Sequence, residues 1–148
     1  MPYVKVWIHL IWSTKNRKKI ITKELKFKLY NHIRANASDK KIYVDHIDGA
    51  EDHIHMLISM KADDSLSKIV QLIKGESSFW VNKNKMTESK FEWQEEYIAI
   101  SVSESIVPKV REYIKNQEEH HKKRTFQEEF EIFLDKYGFK ALAAKAGV

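Results

Sequence analysis

Residues 53–60 read His53-Ile54-His55-Met56-Leu57-Ile58-Ser59-Met60. Ile54, Met56, Ile58 and Met60 fall on one side of an alternating pattern, and His53, His55, Leu57 and Ser59 on the other. A period of two marks a strand, because successive side chains leave opposite faces of the pleat. One face belongs against helices; the other carries two imidazoles. Histidines two residues apart on a strand project the same way, with Cα atoms roughly 6.6–7 Å apart. From there both rings can converge on one cation. Asp52 stands just before them. The bland alternative is a strand whose polar residues face water, and a bare His-x-His has many chance occurrences.

The alternation returns at residues 3–13. Val4, Val6, Ile8, Leu10 and Trp12 share one face there, and Lys5, Trp7, His9, Ile11 and Ser13 the other. Residues 42–47 and 97–102 read as two further strands, the first followed by an Asp48-Gly49 turn signal. Thr22 can cap a helix carrying Leu25, Leu29 and Ile33 at helical spacing. Ser65 caps a longer one with Leu66, Ile69, Val70, Ile73 and Trp80 on one stripe. Ser103 or Ser105 opens a helix containing Val110, Tyr113, Ile114 and Gln117. Thr125-Phe126-Gln127-Glu128 is a capping box that starts a last helix with Phe126, Phe130, Phe133, Leu134 and Tyr137, stopped by Gly138. The order predicts an α+β fold: a ferredoxin-like βαββαβ sandwich with a four-stranded antiparallel sheet, plus two C-terminal helices. Two helices should cover one sheet face and leave the other free for a site or a partner.

The chain has 148 residues, with 4 Gly and 2 Pro and no repeat or linker-like stretch, so residues 1–148 are read as a single domain. There is no cysteine, which excludes disulfides and thiolate zinc sites. No apolar run approaches the ~18 residues of a membrane span. The N-terminus lacks the pattern of a signal peptide, so a cytoplasmic protein is expected. Lys and Arg number 26 against 21 Asp and Glu, a formal charge of +5 that favours a polyanionic partner. A merely solvated surface would look the same.

Tyr113 and Gln117 lie four residues apart, one helical turn, ahead of a polar stretch ending basic at Lys122-Lys123-Arg124. A helical tyrosine more often packs than reacts. Here, however, phosphodiester chemistry would explain the combination. A tyrosine oxygen can attack phosphorus and form a covalent phosphotyrosine, which keeps the bond energy for rejoining. A divalent cation between neutral imidazoles offsets the developing charge; Mn²⁺ suits them, and Mg²⁺ fits with oxygen donors and waters. There is no Walker-type glycine-rich loop.

These residues resemble a known family. Asp52-His53-Ile54-His55-Met56-Leu57-Ile58 resembles the His-hydrophobic-His (HUH) motif of the single-tyrosine transposases of small bacterial insertion sequences and of related REP-associated tyrosine transposases. Tyr113-Ile114-Lys115-Asn116-Gln117 resembles their nucleophile segment. Trp12–Arg17, Ile73-Lys74-Gly75 with Ser77-Ser78, Trp93-Gln94 with Ser101–Ser105, and Gln117–Lys122 with Thr125-Phe126 look like the family too, in the family's order. The resemblance covers roughly residues 4–135. It implies metal-dependent cleavage and rejoining of single-stranded DNA, with Tyr113 left on a 5′ phosphate. It implies His53, His55 and Gln117 as ligands of Mg²⁺ or Mn²⁺. It also implies hairpin-bearing DNA ends as partners and a homodimer that can share its active sites between subunits. Glu95-Glu96-Tyr97-Ile98-Ala99 departs from it, where glycines are expected around the tyrosine.

Lys15, Arg17, Lys18, Lys19 and Lys74 are candidate phosphate contacts, which position DNA without reading its sequence. Tyr97 is a rival nucleophile, for which packing is the better reading. His120 and His121 could approach the metal or a phosphate, with a solvated helix end favoured. His9 shares the face of His53 and His55, with polar packing favoured. Trp7, Trp80 and Trp93 could stack on bases, though Trp80 is on the apolar stripe of its helix. Two other readings compete. One is a non-cutting hairpin DNA- or RNA-binding module of ferredoxin-like fold, against which the strands lack the aromatic recognition signature. The other is a replication-initiator or relaxase nuclease, against which the chain is short.

Overall fold

The computed structural model describes residues 2–139. Four strands, β1 (Val6–Ser13), β2 (Tyr43–Gly49), β3 (His53–Met60) and β4 (Ile98–Val102), form one antiparallel sheet in the order β2-β3-β1-β4. Helices α1 (Lys23–Asp39) and α2 (Leu66–Lys83) make the two crossovers, each started by the cap expected of it: Thr22 accepts from the Leu25 amide and Ser65 from that of Lys68. Ile8, Leu10 and Trp12 of β1 and Ile54, Met56 and Ile58 of β3 meet Leu25, Leu29 and Ile33 of α1 and Ile69, Val70 and Ile73 of α2 in the main core. The alternation thus assigns the core face correctly, and the α+β sandwich is the observed fold.

The second face is not free. Beyond β4 come α3 (Val107–Lys115), α4 (Gln117–Lys123) and α5 (Phe126–Lys136), which fold back over it. Val107 and Ile114 pack on Trp7 and Leu57, while Phe126 and Phe133 pack with Ile11, Ile98 and Ile100. The reason is visible in the strands: Trp7, Ile11 and Leu57 alternate with the histidines, so this face carries too much apolar surface to leave in water. The expected pair of C-terminal helices is also three. The helix predicted to run through Gln117 breaks at Asn116 (φ −99°, ψ 27°), and Gln117 begins α4. The capping box on α5 is present as expected.

Gly49 closes β2 where the chain turns back into His53. A Cβ there would lie 2.1 Å from the His53 carbonyl oxygen and 2.8 Å from the Tyr30 hydroxyl. The first is backbone held by the Ala50 amide, and the Ile54 Cα is a third close neighbour at 2.9 Å. Gly49→Ala is expected to cost about 3 kcal/mol through overpacking, lowering the melting temperature by roughly 10 °C. A thermal melt checks it.

Candidate active site

β3 is paired on both sides, with Ser13 opposite His53 and both Ile11 and Asp48 opposite His55. The backbone carrying the two histidines therefore has no freedom. Their side chains are buried, 1% and 0% exposed. His53 Nδ1 donates to Asp52 Oδ1 at 2.8 Å. A carboxylate only accepts, so this contact assigns the proton to Nδ1 and leaves Nε2 with its lone pair. That lone pair faces Gln117 Oε1 at 3.1 Å, while the Gln117 amide nitrogen donates to the Tyr113 carbonyl at 3.2 Å. Two acceptors thus confront each other across a gap that a cation, or a further proton on His53, would bridge. By its donor chemistry the set fits a divalent ion, which His53, His55 and Gln117 would hold.

His55 points the same way but is the other tautomer here, because its Nε2 donates to a carboxylate and its Nδ1 accepts. Its Nδ1 lies 2.9 Å from His9 Nε2, and its Nε2 lies 2.8 Å from Glu129 Oε1. Both imidazoles therefore have the Nδ1 side engaged and the Nε2 side turned to a common point. A carboxylate on the Nδ1 side, as Asp52 is for His53, fixes ring orientation in metal sites; His9 takes that place for His55.

Tyr113 stands in the last turn of α3. That helix is held by Val107 and Ile114 below and by a bidentate contact of Arg111 with Asp45, at 2.8 and 3.0 Å. Asp45 reaches it because the β2–β3 register shifts between Val44 and His46, a bulge that takes Asp45 out of the ladder. The Tyr113 hydroxyl donates to Glu129 Oε2 at 2.6 Å. Its ring stacks on His120 at 4.5 Å and lies edge-on to His55 at 5.6 Å. Tyr113, His53, His55 and Gln117, four residues singled out from the sequence, are thus brought together within one chain.

Glu129 was not among them, although it is 3% exposed and touches both His55 and Tyr113. A signal existed: with Phe126 and Phe133 on the same face, it is a carboxylate inside the apolar stripe of α5. Asp52 and His9, which orient the two rings, also belong to the site. His121 lies on the Nδ1 side of His53, where Asp52, His53 and His121 form a second cluster able to hold a metal. Tyr97 sits ahead of β4 beside Lys74 instead.

Lys15, Arg17, Lys18 and Lys19 are exposed on the loop after Ser13, the register partner of His53, so they stand at the histidine end of the sheet. Lys74 is elsewhere and occupied: its ammonium donates to the Gln94 and Glu95 carbonyls and lies over the Trp12 and Tyr97 rings. Trp7 and Trp93 are buried and Trp80 packs against the main core with its ring on His32. Among the described residues no helix is long and apolar enough to cross a membrane.

Residues 2–117 match the family described as "Transposase IS200 like". The chain is similar to the ISDra2 transposase TnpA of Deinococcus radiodurans, 26% identical over 114 residues, 74% of this chain and 81% of that protein. Its fold is that of a putative transposase from the same organism (TM-score 0.63, 24% identity, 79% of this chain and 95% of that one). It is also that of a REP-associated tyrosine transposase solved bound to a REP hairpin (TM-score 0.63, 15% identity, 82% and 72%).

Burial sets the protonation of the cluster. It lowers His9 to about 3, helped by the neighbouring His55 and opposed by Glu129. It lowers His55 as well, against the hydrogen bond and charge of Glu129. For Glu129 burial acts upward, but the hydrogen bonds from His55 and Tyr113 and the potential of the imidazoles outweigh it and hold the carboxyl down to about 2. With His55 neutral, this is a carboxylate accepting from an imidazole N–H and a phenol. Tyr113 is pushed well above an ordinary phenol, first by burial and then by Glu129, so it keeps its proton in this arrangement. A histidine with a lowered folded pKa contributes stability above its unfolded value of 6.5 and loses it as pH falls toward 3, because only the unfolded chain takes up the proton. For His9 alone the loss at pH 5 is about 2 kcal/mol. Melts in chelator are expected to show stability falling from pH 7.5 to 5, with a shallower slope in His9→Gln; a flat profile would contradict the buried neutral ring.

Proposed function

Because the chain belongs to the IS200-like transposase family, we propose that it moves DNA by cutting and rejoining single strands through Tyr113, with Mg²⁺ or Mn²⁺ held by His53, His55 and Gln117. The observation that carries this reading is the convergence of two imidazole Nε2 atoms, an amide oxygen and a tyrosine hydroxyl on one buried spot. A bound divalent ion there supplies a Lewis acid that polarises the scissile phosphoryl group. The rest is the work of side chains. Asp52 and His9 keep the rings turned, and the Arg111–Asp45 clasp keeps α3 in place. The Tyr113 oxygen attacks phosphorus, the bond to the 3′ oxygen breaks, and a 3′ hydroxyl leaves. The 5′ phosphate stays on the tyrosine until another 3′ hydroxyl reverses the step.

The histidines, Gln117 and Glu129 are closed off by α5, so a phosphodiester reaches Tyr113 when that helix shifts. Lys15, Arg17, Lys18 and Lys19 would meet the backbone of the incoming strand; Lys74, the further candidate, would first have to release the Gln94 and Glu95 carbonyls. Hairpin-bearing ends are the substrate form taken from the relative solved with one. We read residues 1–148 as one domain acting in the cytoplasm. A homodimer remains part of the proposal, with β4, one of the two edge strands, available to a second copy. In this arrangement each chain's own tyrosine meets its own histidines, so dimerisation does not have to complete the site.

The protein is to be incubated with labelled single-stranded oligonucleotides from the flanks of its own gene, with Mn²⁺ or Mg²⁺ and with chelator. A protein–DNA adduct that survives denaturation, needs the metal and vanishes in Tyr113→Phe is expected. Tight hairpin binding with no adduct under any metal would instead favour the binding module. Replacing Arg17 and Lys18 by Ala should weaken binding across sequences and reduce the slope of log K against log salt by about 1.4 if each touches one phosphate of a single strand.

A further inference from the structure

Glu129 lies on α5, outside the stretch that matches the family. We propose that it is a fourth protein ligand of the cation, and that its second oxygen sets Tyr113 beside the coordination sphere. The inference rests on the metal reading above and adds a carboxylate to it.

The geometry comes first. Glu129 Oε1 is 2.8 Å from His55 Nε2 and 3.7 Å from His53 Nε2, and Gln117 Oε1 is 3.1 Å from the latter. Ligand atoms bonded at about 2.1 Å to one ion stand about 3.0–3.4 Å apart in octahedral or tetrahedral shells. The four atoms already bracket that spacing. Coordination through His55 Nε2 requires its proton to sit on Nδ1, where His9 Nε2 can accept it once His9 carries its own proton on Nδ1. Both rings stay neutral.

Charge points the same way. Two imidazoles and an amide give a divalent ion no anionic partner, and hard cations such as Mg²⁺ and Mn²⁺ favour carboxylate oxygen. Asp52 is engaged on the Nδ1 side of His53. Glu129 in turn is buried with no Lys or Arg: its ion pairs among the described residues are with His53 and His55. A buried carboxylate is costly unless paired. The fold invests in this placement, since the Thr125–Glu128 capping box fixes the start of α5 and Phe126 and Phe133 bury the turns on either side. The ion would then fasten α5 to β3, with Tyr113 attached through Oε2.

The test is calorimetric titration of the full chain with Mn²⁺, in wild type, Glu129→Gln and His53→Ala, with chelator melts confirming that each is folded. Glu129→Gln is expected to bind at least about tenfold more weakly and to lose most of the Mn²⁺-induced rise in melting temperature, and His53→Ala to lose binding. Should Glu129→Gln not fold, Glu129→Asp, which keeps the charge but withdraws the oxygens, takes its place with the same expected direction. Unchanged affinity in the Glu129 variant while His53→Ala abolishes binding would overturn the proposal. More adduct from that variant would then mark the carboxylate as standing where the substrate phosphate belongs. Binding that survives His53→Ala, or no binding by wild type, would overturn the histidine site itself and this inference with it.

Discussion

The pleat of β3 is the constraint from which the rest follows. Its backbone is hydrogen-bonded to β1 on one side and β2 on the other. Ile54, Met56 and Ile58 are fully buried against α1 and α2. A slip of one residue would exchange the two faces and put the imidazoles into that core. The forces that fix the fold thus also fix which way His53 and His55 point. The site takes its precision from the most rigid part of the sheet, while the groups that complete it arrive on helices whose docking is weaker.

Those helices explain both the order and the closure of the cluster. α3 is held by buried aliphatic residues and by the Arg111–Asp45 pair, and Tyr113 moves only as far as that clasp permits. α5 is held largely by Phe126 and Phe133, each worth roughly 1.5–3 kcal/mol of burial. Glu129 adds its hydrogen bonds to His55 and Tyr113 to that packing. Burial first, and then the Glu129 carboxylate, leave Tyr113 protonated and paired with Glu129. A closed cluster of this kind protects a buried polar network from water until a substrate competes for it.

Much of this was legible in the residues. Strict alternation in β1 and β3 gave the core face and the histidine face, and capping residues at Thr22, Ser65 and Thr125 gave three helix starts. The docking of the C-terminal helices was not, because an apolar stripe shows that a helix buries something and not what it buries. The alternating Trp7, Ile11 and Leu57 were the missed sign that the second face needs a cover. The break at Asn116 has no glycine or proline to announce it. Glu129 was passed over because adjacent glutamates near a helix start usually serve the cap or face water. Glu128 does serve the cap; only the positions of Phe126 and Phe133 show that Glu129 faces inward. Lys74 looked like any surface lysine until the 94–95 carbonyls were placed against it.

The claim at the centre is that a cation belongs on the Nε2 side of the two histidines, beside Tyr113. Anomalous diffraction from crystals of the protein grown with Mn²⁺ tests it most directly. The expected result is one strong peak at bonding distance from both His53 Nε2 and His55 Nε2, on the Gln117 side of the rings. A peak held instead by Asp52 and His121 on the far side of His53, or none near β3, would contradict it.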